Sequence, residues 1–448
     1  MMIIKNKKEL LIAKERRNLL DILEKGVEAV LPEKVLKENV LFDKKNKILK
    51  VKDTAFDLSS KRVFVIGGGK GAYLMAKAIE EIFGGENIEA GIVNCNFDGQ
   101  KTKKIKINKA SHPIPDENGM KGVLSMMALK KQYNIGPQDI IIFLISGGAS
   151  SLMPLPAKEI SLEDKRRVNS LLLFSGADIK EINTVRKHLS LVKGGRLGLF
   201  FAPAKVISLI ISDVIGDDIE NIGSGPTVKD SSTFKDAIFV LKKYNLFERV
   251  PRSVKDFLEK GARGEIEETP KELENCYNFI LVNNKVSLET MAKEGIKRKL
   301  KPLILKENLR GDPQSSAFDL AKNIKEGKYK GFNLILFGGE NTPKIPEASG
   351  KGGRIQHFLA SFLLGMKDYK KKWCLAGLAT DGTDFIYQIG GAVIDDISAK
   401  IVKEKNIKIE NYLENYDSYN FFLRVENSLI KTVDTGTNVG DIFAGYFR

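Results

Sequence analysis

At 448 residues the chain is long for one core, and its 42% apolar content is enough for two, so two domains are expected. Lys and Arg outnumber Asp and Glu by 72 to 57, a formal net charge of +15, but these cations are scattered and form neither a tail nor an aromatic-interleaved stripe; this speaks against nucleic acid and for a charged surface or a small anionic ligand. No apolar run approaches the roughly 20 residues of a membrane span, and Cys95, Cys276 and Cys374 fit neither a disulfide framework nor a metal spacing, as expected of a reducing cytoplasm.

In chain order, MMIIKNKKELLIAKERRNLL places Leu10, Leu11, Leu19, Leu20 and Ile22 as in an amphipathic helix. Beyond it, short apolar runs ending in Gly, Ser, Asp or Asn alternate with helical periodicity. That pattern predicts an α/β fold with largely parallel sheets, whose ligands gather past the carboxyl ends of the strands. VFVIGGGKGAYLMA is the first such turn. It is neither a Walker loop nor a strict GxGxxG, since only Gly67, Gly69 and Ala72 satisfy the relaxed spacing, and Asp98 comes too late to be a ribose-binding acid at the next strand's end. A glycine turn opening a helix still offers amides and the positive end of the helix dipole to an anion, and Lys70 adds a charge; the alternative is a tight turn with a surface lysine. IIIFLISGGASS carries Ser146, Gly147, Gly148, Ser150 and Ser151 after a buried-type strand, and favours anion binding over a nucleophilic serine, because no GxSxG elbow is present.

INTVRKHLSLVKGGRLG groups Arg186, Lys187, Lys193 and Arg196 around a Gly-Gly turn, a set able to grip a carboxylate or phosphate. VISLIISDVIGDDIENIGSGPT puts Asp213 at a strand end near Gly223, Ser224 and Gly225, a position for a metal ligand or a general base. Residues 231–275 are charged and lack strand signals, and FILVNN is read as the start of a second α/β unit. The division is therefore expected near residue 265, giving domains of 1–265 and 266–448. In the second, GKGGRIQH joins Gly352, Gly353 and Arg354 at a helix start. LATDGTD offers Asp381 and Asp384 as oxygen ligands for a hard cation, and TVDTGTNVGD is a small polar loop. Cations on two glycine turns with several strand-end carboxylates are the inventory of phosphoryl transfer.

Taken in order, GGGKGAYLMA, SHPIPDENG, ISGGASSL, INTVRKHLSLVKGGRL, ISDVIGDDIENIGSGPT, FGGENT, GKGGRIQH, LATDGTD and TGTNVGD resemble the glycerate 2-kinase family with a MOFRL-type C-terminal domain (class II glycerate kinase). The resemblance implies a Rossmann-like N-terminal domain with a mostly parallel sheet flanked by helices, and a smaller C-terminal α/β domain. It also implies ATP-dependent phosphorylation of D-glycerate to 2-phosphoglycerate with Mg²⁺ or another divalent cation, in a cleft between the domains. On that reading Lys70, Arg354 and Asp213 are catalytic. Gly67, Gly68, Gly69, Ser146, Gly147, Gly148, Ser224, Gly352 and Gly353 line the nucleotide. Arg186, Lys193 and Ser150 hold the substrate, and Asp381 and Asp384 the metal. The expected partners are small molecules, with no nucleic acid or membrane, and the chain is a monomer or homodimer in the cytoplasm. It departs from the family pattern at Ile355, His357 and Phe385, where the family has an amide, a carboxylate and a glycine. The alternatives are a nicotinamide-dependent hydroxypyruvate reductase and a two-domain anion-binding protein without catalysis.

Overall fold

Helix α1 (Lys14–Glu28) buries one face, formed by Leu19, Leu20, Ile22, Leu23 and Val27. Each such side chain contributes about 1.5–3 kcal/mol when removed from water, so this segment folds as part of a domain. The computed structural model describes residues 2–97, 102–306, 309–343, 345 and 349–448. They form two units, residues 32–281 and residues 1–31 with 282–448.

The first unit holds a sheet of β1 (Arg62–Gly68), β2 (Ala90–Cys95), β3 (Ile105–Lys109), β4 (Asp139–Ile145), β5 (Lys205–Ile211) and β6 (Cys276–Val282), ordered β3-β2-β1-β4-β5-β6. The pairings from β3 through β5 are all parallel. Every residue of β4, DIIIFLI, is buried, as expected of a strand covered on both faces. Helices α2 (Ala72–Phe83) and α3 (Glu117–Gln132) follow β1 and β3. This is the Rossmann strand order. Its direction reverses between β1 and β4, so the loops leaving those two strands diverge and open a crevice at their carboxyl ends. Helices α4 (Leu162–Phe174) and α5 (Ile179–His188) belong to a further apolar core built around Leu172, Ile182, Val185, Phe234 and Leu258.

The second unit has α6 (Asn284–Lys297), β7 (Pro302–Ile304), α7 (Pro313–Lys325), β8 (Leu334–Gly339), α8 (Arg354–Gly365), β9 (Trp373–Ala379), β10 (Ile389–Asp395), β11 (Leu429–Lys431) and β12 (Asp441–Phe447). Its sheet runs β7-β8-β12-β9-β10-β11. Only β7–β8 is parallel, and the other pairings are antiparallel. Both faces are covered: Leu334 and Leu336 pack in a core with Leu19, Leu23 and Met291, and Ile335 and Phe337 in one with Phe358 and Leu359.

Two expectations are corrected. FILVNN supplies the last strand of the first sheet instead of opening the second unit. The second sheet is mostly antiparallel. The compact units divide at residues 31/32 and 281/282, and the N-terminal segment belongs to the second unit. Its anchor is Arg16, fully buried, whose Nε and Nη2 donate to Asp395 Oδ2 and Oδ1 at 2.6 and 3.0 Å and whose Nη2 also donates to Ser398 Oγ at 2.9 Å. A pair separated by 379 residues leaves no local trace in the sequence.

Candidate active site

At the point where the strand order reverses, the GGGK and SGGA turns are joined directly. The Lys70 N–H donates to Gly147 O at 2.8 Å and the Gly71 N–H to Ser146 Oγ at 2.9 Å. Gly69 has φ +143°, and a Cβ there would lie 2.1 Å from Ser146 Oγ, so only glycine permits this approach. Gly67 and Gly68 make room for Leu144 and Met153, so their small size serves packing between β1 and the β4 side. A Cβ on Gly148 would sit 2.8 Å from His112 Cδ2 and 3.5 Å from Lys70 Cγ, which places both side chains against that turn. Lys70, Ser146, Gly147, Gly148 and His112 thus share the crevice mouth. Asp213 lies two residues past the end of β5 and is half-buried. Asp98 lies outside the described residues.

A second group forms beside the SGGASS turn. Ser150 Oγ and Ser224 Oγ are 3.1 Å apart, and Ser224 Oγ donates to Asn183 Oδ1 at 3.0 Å. Lys193, 1% exposed, donates from Nζ to Ser150 O and Oγ, both at 2.9 Å, and to Gly223 O at 3.3 Å. The Arg186 Nε donates to Asn169 Oδ1 at 3.0 Å. The helices that carry these residues are fixed locally: Ser161 with Asp164 and Asp178 with Glu181 form capping boxes at the starts of α4 and α5. Burial pushes both Arg186 and Lys193 below their ordinary ranges. Lys187, one residue on, is paired with Asp230 at 3.1 Å and Glu220 at 3.3 Å and belongs to the structural frame.

In the second unit, Arg354 is the first residue of α8. Its Nε and Nη2 donate to Asp441 Oδ2 and Oδ1 at 2.6 and 3.0 Å, and Nη1 donates to Glu340 Oε1 at 2.6 Å. Asp441 reaches it because the register opposes Asp441 to Gly339 on one side and to Ala379 on the other. The Asp441 and Glu340 charges raise the guanidinium above its ordinary range despite burial. Asp384 is engaged at the start of α8. Its Oδ1 accepts the Ile355 N–H at 3.0 Å, and its Oδ2 accepts the Gln356 N–H at 2.9 Å and Gln356 Nε2 at 3.0 Å. The helix N-terminus favours a carboxylate there. Burial and the Asp441 charge push it up to about 6. A Cβ on Gly353 would lie 2.2 Å from Asp384 Oδ1 and one on Gly352 would lie 2.1 Å from Ser418 Oγ, so these glycines admit protein groups where phosphate was expected. Asp381 is half-buried, and its Oδ1 accepts the Thr383 N–H at 3.0 Å. Among the described residues no cluster of three or more His, Cys, Asp or Glu could hold a metal ion.

Two of the three departures are interior residues. Ile355 is fully buried. His357, 2% exposed, stacks on Tyr416 at 4.4 Å and 12°, and burial pushes it down to about 4, so it is neutral at pH 7. Phe385 is exposed. Sequence reasoning missed Glu340, Asp441 and His112 as members of these groups. The available signal was positional: Asp441 opens an apolar run and Glu340 closes one. No helix among the described residues is long and apolar enough to cross a membrane.

The chain matches the family "Domain of unknown function (DUF4147)" over residues 18–259 and the MOFRL family over residues 333–441. It is 39% identical to a glycerate 2-kinase of Pyrococcus horikoshii, over 88% of each chain. It is 37% identical to an Agrobacterium vitis protein with a provisional hydroxypyruvate reductase name, over 86% of each. A solved glycerate kinase from Thermotoga maritima superposes with a TM-score of 0.81 at 34% identity, covering 96% of this chain and 98% of that one.

Proposed function

The chain belongs to the DUF4147–MOFRL family of glycerate 2-kinases, and from that premise we propose that it transfers the γ-phosphoryl group of ATP to the 2-hydroxyl of D-glycerate, giving 2-phosphoglycerate and ADP. The observation that carries the mechanism is the joining of the GGGK and SGGA turns where the sheet order reverses. The N–H groups of Gly69, Lys70, Gly71 and Ala72 donate within the protein, so an anion there meets the positive end of α2 and the Lys70 side chain.

Lys70 and Arg354 supply positive charge to the transferring group, where preorganised charge lowers the barrier most. Arg186, Lys193 and Ser150 hold the glycerate carboxylate. Asp213 accepts the proton of the attacking hydroxyl as its oxygen bonds to phosphorus; the bridging bond then breaks and ADP leaves with the electron pair. A divalent cation supplies further charge to the phosphates when bound. Mg²⁺ takes one or two protein carboxylates and fills its shell with phosphate and water. Asp381 fits that demand, whereas both Asp384 oxygens are committed to N–H donors.

The test is ADP release coupled to a chromogenic reaction, with D-glycerate as acceptor and phosphorus NMR of the product. Lys70→Ala and Arg354→Ala should each lower kcat by about 10²–10³-fold. Turnover near wild type in both variants refutes these roles. Oxidation of NADH with hydroxypyruvate in place of ADP release would instead establish the reductase reading.

A further inference from the structure

Lys165 lies on α4, in the run LEDKRRVNSLLLFSG. It is 2% exposed, and its Nζ makes no hydrogen bond among the described residues. Its charged neighbours are cations: Arg186 acts on Lys165, and Lys165 and Arg186 both act on Lys193. None of the three forms an ion pair with a described acid. Among the described residues, Lys193 donates only to neutral oxygens of Ser150 and Gly223, and the one hydrogen bond from the Arg186 side chain is to the amide of Asn169.

A lone buried charge without a partner is costly, and removing one partner of a buried ion pair is among the most damaging changes in a fold. Gathered without an acid, these groups meet that cost by shifting: burial pushes all three below their ordinary ranges. The adjacent Lys187 has two carboxylates within 3.3 Å, so this region does pair a buried lysine where the charge serves structure. A fork of guanidinium N–H groups beside two ammonium groups matches a planar anion with two oxygens.

We propose that Lys165 completes, with Arg186 and Lys193, a pocket that takes the carboxylate of the acceptor, and that this pocket restricts acceptors to small hydroxy acids and excludes neutral polyols such as glycerol. The proposal rests on the kinase reading above, because it names the group that fixes the acceptor. Burial beside Arg186 pushes Lys165 down to about 7, as expected of a cation whose counter-charge arrives with the ligand.

The test uses the full chain and three readouts: KM for D-glycerate, KM for ATP, and the melting temperature without ligand. Lys165→Met keeps the length of the side chain and removes the charge. It should raise the KM for glycerate at least tenfold, leave the KM for ATP within twofold, and raise the melting temperature. Lys165→Arg, which keeps the charge, should recover most of the affinity. A glycerate KM within twofold of wild type in a folded Lys165→Met protein overturns the proposal, as does a rise confined to the KM for ATP, which would mean that the pocket takes a phosphate. Calorimetric titration with D-glycerate, with glycerol and with inorganic phosphate separates this idea from the kinase reading. If glycerate binds the wild type and not Lys165→Met, while no ADP is released by either, the pocket stands and the kinase assignment falls. Binding of glycerol as tight as that of glycerate overturns the pocket.

Discussion

Two cation clusters in this chain are built in opposite ways. Arg354 stands among acids: Asp441 holds it bidentately, Glu340 takes its remaining branch, and Asp384 caps the helix it begins. Lys165, Arg186 and Lys193 stand among hydroxyls, amides and carbonyls. The first arrangement raises its arginine above the ordinary range, and the second lowers all three of its cations. A cation held by acids is fixed in place before any ligand arrives, which suits a group that must meet a transient charge at one position. A cation without an acid keeps its electrostatic capacity unspent, which suits a group that must bind a stable anion.

The largest effect expected of this contrast comes from breaking the first cluster. Asp441→Asn keeps the shape and removes the charge that orients Arg354. We expect kcat for glycerate to fall by about 10²-fold, the cost of a misplaced catalytic group, and the fold to lose about 3 kcal/mol in urea unfolding, the lower range for a broken buried pair. The KM for glycerate should change by less than about threefold, because ground-state binding is assigned to the other cluster. A variant that loses glycerate affinity and keeps kcat would reverse the division of labour.

A smaller effect is expected from making the second cluster resemble the first. Asn169 already accepts from Arg186 Nε at 3.0 Å, so Asn169→Asp supplies the missing acid without moving the contact. The ligand-free protein should melt higher, since a buried cation gains its partner. The KM for glycerate should rise about tenfold, which is about 1.4 kcal/mol of competition for the same guanidinium. If affinity is unchanged, Arg186 does not contact the acceptor.

The contrast also marks what was legible in the sequence. The glycine turns, Lys70, Arg354 and the strand-end acids could be read because Gly and Asp punctuate strand ends whatever the tertiary context. The Rossmann-like sheet could be read because a strand buried on both faces, such as β4, is apolar at every position. The purpose of the glycines was not legible: Gly353 looks like a seat for phosphate and instead admits the Asp384 carboxylate. Nor was the role of Asp441, which depends on the antiparallel register of β12 with β8 and β9. Lys165 sits in a helix with other charges, and neither spacing nor composition separates the buried lysine from the exposed residues around it. The attachment of residues 1–31 to the second unit rests on a shared apolar core and on the pairing of Arg16 with Asp395, which local patterns cannot connect.

The smallest expected effect lies in the pH dependence of the acid-free cluster. Lys165, pushed down to about 7 by burial and by Arg186, is protonated below that pH and loses its charge as pH rises through it. The charged group acting on it is Arg186 from α5, while Lys193, from the turn that follows, is itself pushed well below its ordinary range by burial, by Lys165 and by Arg186. Because kcat/KM reports the free enzyme, its value for glycerate should fall about fivefold between pH 7 and pH 8, the ratio given by one group titrating at 7 when only its charged form binds. Lys165→Arg, whose guanidinium stays charged throughout, should flatten that limb. Asp384 and Asp441 of the Arg354 cluster, pushed up to about 6 by burial, are mostly ionised by pH 7, so kcat at saturating glycerate should change little across the same interval. A fall in kcat with kcat/KM level would place the titrating group with the phosphoryl chemistry and not with the acceptor pocket.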